Sequence, residues 1–113
     1  MLNYYKIIKQ NIQPSNAEFI VELQADCPVY KGHFPGNPVA PGACNIEMIR
    51  QCASIALGKE VRIAQMKVCK FMMLLQPQKQ AELRIQLTWE DAHCSAIIFA
   101  EDKIAVQLKM TFV

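Results

Sequence analysis

Period-two alternation dominates the second half of the chain. In AELRIQLTW, Leu83, Ile85, Leu87 and Trp89 fall on one face and Glu82, Arg84, Gln86 and Thr88 on the other, the mark of a half-buried strand. IAVQLKMTF repeats the pattern with Ile104, Val106, Leu108, Met110 and Phe112, and CSAIIFA between them is apolar on both faces. Successive strands with no helical pattern between them predict an antiparallel meander. VRIAQMKVCKFMMLL, upstream, is long and rich in β-formers. In the first part of the chain YYKIIKQNI and AEFIVELQA read as strands, separated by the turn cluster QPSN.

One segment breaks the alternation. GACNIEMIRQCASIALG has few β-branched residues, Pro41 and Gly42 at its start and Gly58 as a stop. Ala43, Ile46, Ile49, Ala53 and Ala56 are apolar at helical spacing, and Met48, Cys52, Ile55 and Leu57 are apolar on other faces. A helix apolar nearly all round is expected to be buried. One buried helix and one antiparallel sheet predict an α+β fold in which the sheet curls around the helix, apolar face inward.

Composition narrows this picture. The chain has 113 residues, 52% hydrophobic and 19% charged, which suits a single domain over residues 1–113. A domain this small buries a modest share of its surface, so pairing with a second copy would help it. The net charge of +2 is too weak to point to nucleic acid, and no stripe of aromatics with Arg or Lys appears. MLNYYKIIKQ lacks an apolar core of signal-peptide length, and runs such as FMMLL are far short of a membrane span, so the expected compartment is the cytoplasm. The five cysteines contain no CxxC pair, which suits buried free thiols and not a zinc site.

The candidate chemistry lies in KGHFPGNPVAPG, followed by a lone Glu47 within the helix. An acid and a base can together remove water from a β-hydroxyacyl thioester. The base takes the proton beside the carbonyl, the acid protonates the departing hydroxyl, and N–H donors hold the carbonyl oxygen as charge builds. His33 suits the base, since an ordinary imidazole is mostly neutral at cellular pH. Glu47 suits the acid if burial raises its pKa. The first helix amides, at Gly42 and Ala43, are unpaired donors at the positive end of the dipole. Pro35, Pro38 and Pro41 stiffen the loop that carries the histidine. Read from the residues alone, a polar turn histidine and a solvated helix glutamate remain the alternative.

GHFPGNPVAPGACNIEMIRQ resembles the signature of the 3-hydroxyacyl-acyl-carrier-protein dehydratases of bacterial fatty acid synthesis, the FabZ/FabA group. The matching residues are Gly32, His33, Phe34, Pro35, Gly36, Pro38, Pro41, Gly42, Glu47 and Gln51. The resemblance implies a hot-dog fold and a dimer with its active sites at the interface, His33 of one subunit facing Glu47 of the other. A trimer of dimers or a heterodimer is a further form. It implies His33 as base, Glu47 as proton donor, the Gly42 amide on the thioester carbonyl and Gln51 bonded to the Glu47 carboxyl. It implies a substrate carried on the phosphopantetheine arm of an acyl-carrier protein, and no metal or redox cofactor, because loss of water moves no net electrons. Glu47 in place of Asp resembles the branch that dehydrates without isomerising.

Arg50 and Asn45 depart from the family pattern. Arg50, three residues past Glu47, could pair with its carboxylate and lower its pKa, greet a phosphate at the mouth of the site, or stand solvated. A hot-dog acyl thioesterase and a non-catalytic subunit that binds acyl chains or completes a heterodimer are the alternative functions. A specialised polyene or polyketide pathway is an alternative setting to fatty acid synthesis. Phe71, Met72, Met73 and Leu75 are candidates for an acyl tunnel, though core packing explains them as well. Lys31, Lys67 and Lys70 are candidates for greeting an acidic carrier. His93 reads as a turn residue, and Trp89 and Phe99 as core or interface.

Overall fold

Six strands and one helix account for most of the chain in the computed structural model, which describes residues 4–32 and 40–113. His33, Phe34 and Pro38 of the sequence-predicted site lie outside the described residues, as does the side chain of Lys31. The strands are β1 (Tyr5–Ile12), β2 (Asn16–Leu23), β3 (Ile63–Phe71), β4 (Glu82–Glu90), β5 (His93–Ala100) and β6 (Lys103–Phe112), with helix α1 (Gly42–Leu57) between β2 and β3. A short 3-10 helix, Pro28–Gly32, follows β2. The strands form one antiparallel sheet in the order β1-β2-β4-β5-β6-β3.

The alternation read from the sequence sets the two faces of this sheet. Leu83, Ile85 and Leu87 of β4 are buried, as are Cys94, Ala96, Ile98 and Ala100 of β5 and Val106, Leu108 and Met110 of β6. On the outer face Arg84 lies over the Phe99 ring, 4.2 Å from its centre, a cation–π contact that covers an aromatic left half-open by the sheet. The QPSN turn closes the β1–β2 hairpin, where the Gln13 amide donates to the Asn16 carbonyl at 2.8 Å. Glu101 and Asp102 take positive φ, 52° and 65°, between β5 and β6; two left-handed residues match the twist of a tight hairpin.

Helix α1 runs from Pro41 as its N-cap to Gly58 as its C-cap. Gly58 sits at φ 70°, and the amides of Gly58 and Lys59 close back on the Ile55 and Ser54 carbonyls, which satisfies carbonyls that the helix end would leave open. The helix departs from the expected all-round burial. Asn45, Met48, Ile49, Cys52 and Ala53 are buried, a strip at helical spacing. Ala43 is exposed, Ile55 is 42% exposed, and Ile46, Ala56 and Leu57 are half-buried. The sheet of one chain covers one side of the helix and leaves the opposite side partly open.

The buried strip contains one polar residue. Asn45 is 3% exposed and accepts a 2.6 Å hydrogen bond at Oδ1 from the Tyr4 hydroxyl. Tyr4 is fully buried and stacks on Tyr30, ring centres 6.2 Å apart. Burial pushes the Tyr4 phenol well above the ordinary tyrosine range, so it stays a neutral donor. This bond ties the residue before β1 to the first turns of α1.

Strand β3 also differs from the sequence reading. The apolar run to Leu75 is strand only as far as Phe71, and among the described residues β3 is an edge strand paired to β6 alone, with irregular register near Ile63–Gln65 and Met66–Val68. Most of its side chains are exposed.

Candidate active site

Glu47 lies on the partly open side of α1, and its carboxylate is gripped from its own helix. Arg50 Nε donates to Oε1 at 2.7 Å and Arg50 Nη2 donates to Oε2 at 2.7 Å. Residues three apart on a helix are neighbours, and a guanidinium fork matches a carboxylate edge to edge. Gln51 Nε2 adds a third donor, to Oε2 at 3.1 Å. All three hydrogen bonds favour the anion. The Arg50 hydrogen bond outweighs the desolvation that would raise the group, and the Glu47 carboxyl sits below the usual carboxylate range. The expectation that burial would raise it is therefore not met: its side chain is 35% exposed, and the cation is adjacent.

Arg50 is itself anchored on two sides. Its Nη1 donates to the Val61 carbonyl at 2.9 Å and to Glu60 Oε1 at 3.2 Å, in the turn between α1 and β3. Of the three placements open from sequence, the structure shows the pair with Glu47. Gln51 bonds the Glu47 carboxyl as the resemblance implies, and its Oε1 accepts from the Tyr5 hydroxyl at 2.7 Å. Burial pushes the Tyr5 phenol above its ordinary range. The chain of contacts therefore runs from β1 through Gln51 to Glu47.

Sequence reading missed Tyr5. The signal was the doublet Tyr4–Tyr5 at the start of a strand. Neighbouring strand residues point to opposite faces, so two large polar-tipped rings there need two different partners.

The start of α1 supplies the second part of the site. Among the described residues no side chain caps the helix at Pro41, and the first backbone bond from its interior is Asn45 N–H to the Pro41 carbonyl at 3.1 Å. The preceding amides of Gly42 and Ala43 have no intrahelical acceptor by helix geometry. Phe71, at the end of β3, lies directly over Gly42: a Cβ there would come within 2.9 Å of its ring. The absence of a side chain at this position is what lets the ring pack against the helix start. Cys44 is half-buried beside these amides, and burial raises its thiol, so it is a neutral neighbour and not a thiolate.

The other candidates are scattered. His93 begins β5 and is exposed. Phe71 and Met72 are about half exposed, Met73 is half-buried and Leu75 is buried in the core. Lys67 and Lys70 are exposed on β3. Among the described residues no group of three or more His, Cys, Asp and Glu is placed to hold a metal ion, and no helix is long and apolar enough to cross a membrane.

The family model for the ApeI-like proteins, described as ApeI dehydratase, matches residues 9–109. The chain belongs to the ApeI-like dehydratase family. Among curated proteins, this ApeI-like chain is similar to the 3-hydroxyacyl-acyl-carrier-protein dehydratase FabZ of Lactiplantibacillus plantarum, 32% identical over 96 residues, covering 74% of this chain and 64% of that one. The FabZ of Lactobacillus helveticus is 31% identical over 96 residues, with the same coverage of 74% and 64%. The ApeI-like chain thus spans 64% of the length of these relatives. Among solved structures it is similar to the dehydratase heterocomplex ApeI:P from Xenorhabdus doucetiae, with a TM-score of 0.82 at 23% identity over 95% of this chain and 96% of that chain. It is also similar to the TT0310 protein from Thermus thermophilus, with a TM-score of 0.60 at 12% identity over 97% of this chain and 91% of that one. These likenesses establish the fold of the ApeI-like chain as the hot dog, as the sequence resemblance implied.

Proposed function

We propose that the chain is a dehydratase that removes water from 3-hydroxyacyl thioesters carried on acyl-carrier protein, giving trans-2-enoyl thioesters. The observation that carries this reading is a carboxylate, Glu47, fixed by Gln51 on a helix whose first amides at Gly42 and Ala43 are left without intrahelical acceptors. Membership of a dehydratase family supports it.

On this reading His33 is the base. It takes the proton beside the thioester carbonyl, and the electrons move toward a carbonyl oxygen held by the Gly42 amide. As the carbon–oxygen bond at C3 breaks, Glu47 in its acid form gives its proton to the departing hydroxyl, which leaves as water. Gln51 holds the carboxyl toward the reacting carbon. Phe34 and Pro38 are supporting residues beside His33 in the sequence, and His33 comes from the other protomer of a dimer. Ala43 offers a second amide near the carbonyl oxygen. The experiment supplies a 3-hydroxyacyl thioester on carrier protein and follows water loss by mass, in the native chain, His33→Ala and Glu47→Gln.

A second reading is favoured by one observation. The Arg50 grip on Glu47 removes the acid form that the reaction requires, and a chain so disarmed fits the role of a partner subunit in a heterodimer. The relative from Xenorhabdus doucetiae is a dehydratase heterocomplex. Such a subunit shows no turnover alone and restores turnover to a partner.

A further inference from the structure

We propose that Arg50 is the positioning residue that keeps Glu47 in its carboxylate form in the resting chain, and that Glu47 takes up a proton only when the guanidinium withdraws. The proposal rests on the dehydratase reading for its catalytic consequence, but not for its effect on Glu47 itself.

The geometry carries it. Both carboxylate oxygens accept from Arg50, at 2.7 Å each, which leaves the Oε1 and Oε2 edge facing the guanidinium no room for an acid proton. Arg50 is not a loose surface charge, because its third nitrogen is held by the Val61 carbonyl at 2.9 Å and by Glu60 at 3.2 Å. The charged and titratable groups facing this pair among the described residues are few. Arg50 comes from α1, Glu60 from the following turn, and Tyr5 from β1 through the neutral amide of Gln51. The Tyr5 phenol is held neutral by burial, so Arg50 is the cation that sets the charge of Glu47. With Arg50 removed, the largest influence that lowers the carboxyl is gone, while desolvation still raises it against the weaker hydrogen bond from Gln51.

The proton account closes over one turnover. Solvent protonates Glu47 as Arg50 leaves it. That proton departs with the hydroxyl as water. The carboxylate re-forms and pairs with Arg50 again, while the proton taken by His33 returns to solvent.

The test uses Arg50→Met and Arg50→Lys in the full chain, with two readouts. The first is the carbon-13 titration of the Glu47 side-chain carboxyl, assigned by its loss in Glu47→Gln. In the native chain Glu47 is expected to stay ionised below the usual carboxylate range, a measurement that needs no Arg50 variant to fold. Arg50→Met is expected to move the titration to higher pH, and Arg50→Lys to fall between, because an ammonium lacks the fork. The second readout is the pH–rate profile on a carrier-bound 3-hydroxyacyl thioester. Its high-pH limb is expected to move up in Arg50→Met, with turnover at neutral pH rising several-fold. A Glu47 that titrates in the ordinary range in the native chain, or that is unmoved in Arg50→Met, overturns the proposal. A Glu47 titration that moves as expected in a chain without turnover, with or without Arg50, supports the proposal and counts against the dehydratase reading.

Discussion

Tyr5 and Gln51, one at the start of an edge strand and the other on the central helix, are joined by a 2.7 Å hydrogen bond from the phenol to the amide oxygen. That bond orients the Gln51 amide so that its nitrogen points at Glu47, 3.1 Å away. The carboxylate is thus positioned from two elements, the helix that carries it and the strand that lies across it. Tyr5→Phe leaves the ring in place and frees Gln51 to rotate. One neutral hydrogen bond is worth roughly 1 kcal/mol, so turnover is expected to fall about fivefold in kcat with KM nearly unchanged. Steady-state kinetics on the carrier-bound thioester checks this.

The pair between Glu47 and Arg50 makes a pH-dependent contribution to stability. The folded-state pKa of Glu47 is depressed, chiefly by the Arg50 hydrogen bond. The stabilisation is therefore present above the ordinary carboxylate range and is lost as pH falls through the lowered folded value. A partly exposed pair at this spacing is worth about 0.3–1 kcal/mol. Urea unfolding of the native chain and Glu47→Gln at a series of pH values is expected to show a gap at neutral pH that closes in acid.

Tyr4 and Asn45 form a buried polar pair. Tyr4→Phe leaves the Asn45 oxygen without its donor inside the core, and the expected loss of stability is about 1–3 kcal/mol. Denaturant midpoints at neutral pH measure it. Because Asn45 lies on the buried strip of α1 and Glu47 on the partly open side, the Glu47 titration is expected to stay where it is in the native chain.

How far the fold is legible follows from where each signal resides. The β4 pattern Leu83, Ile85, Leu87 is local, and alternation alone places those side chains inward. The limits of α1 are legible for the same reason, since Pro41 and Gly58 act on their own backbone. The burial of α1 is not, because composition does not say which side a sheet covers: Ile55 is as apolar as Ile49, yet one is 42% exposed and the other fully buried. Phe71, Met72 and Leu74 read as continuous strand, but an apolar residue at a sheet edge looks the same in sequence as one in the core, and all three are exposed.

Within the site, contacts at helical spacing are legible. Gln51 to Glu47 and Arg50 to Glu47 both follow from positions on one helix face. Sequence leaves three placements open for Arg50, because the choice depends on Glu60 and the Val61 carbonyl, which the turn after the helix brings round. Tyr5 is not legible: its partner lies 46 residues away, and pairing across such a distance is set by the folded sheet.

The β5–β6 turn offers a prediction away from the site. Glu101 and Asp102 hold positive φ, a conformation that costs a residue with a Cβ about 1 kcal/mol or more. Replacing the two by Asn-Gly is expected to raise thermal stability, with the Glu47 titration and any turnover unchanged. A melting curve checks this.

The dehydratase reading is tested most directly by the mass of a 3-hydroxyacyl thioester on carrier protein after incubation with the chain. The account predicts loss of one water, with the rate reduced by roughly 10²-fold or more in both His33→Ala and Glu47→Gln, as when a proton-transfer group is removed. Water loss at an unchanged rate in either variant, or release of free carrier thiol in place of water, would contradict it.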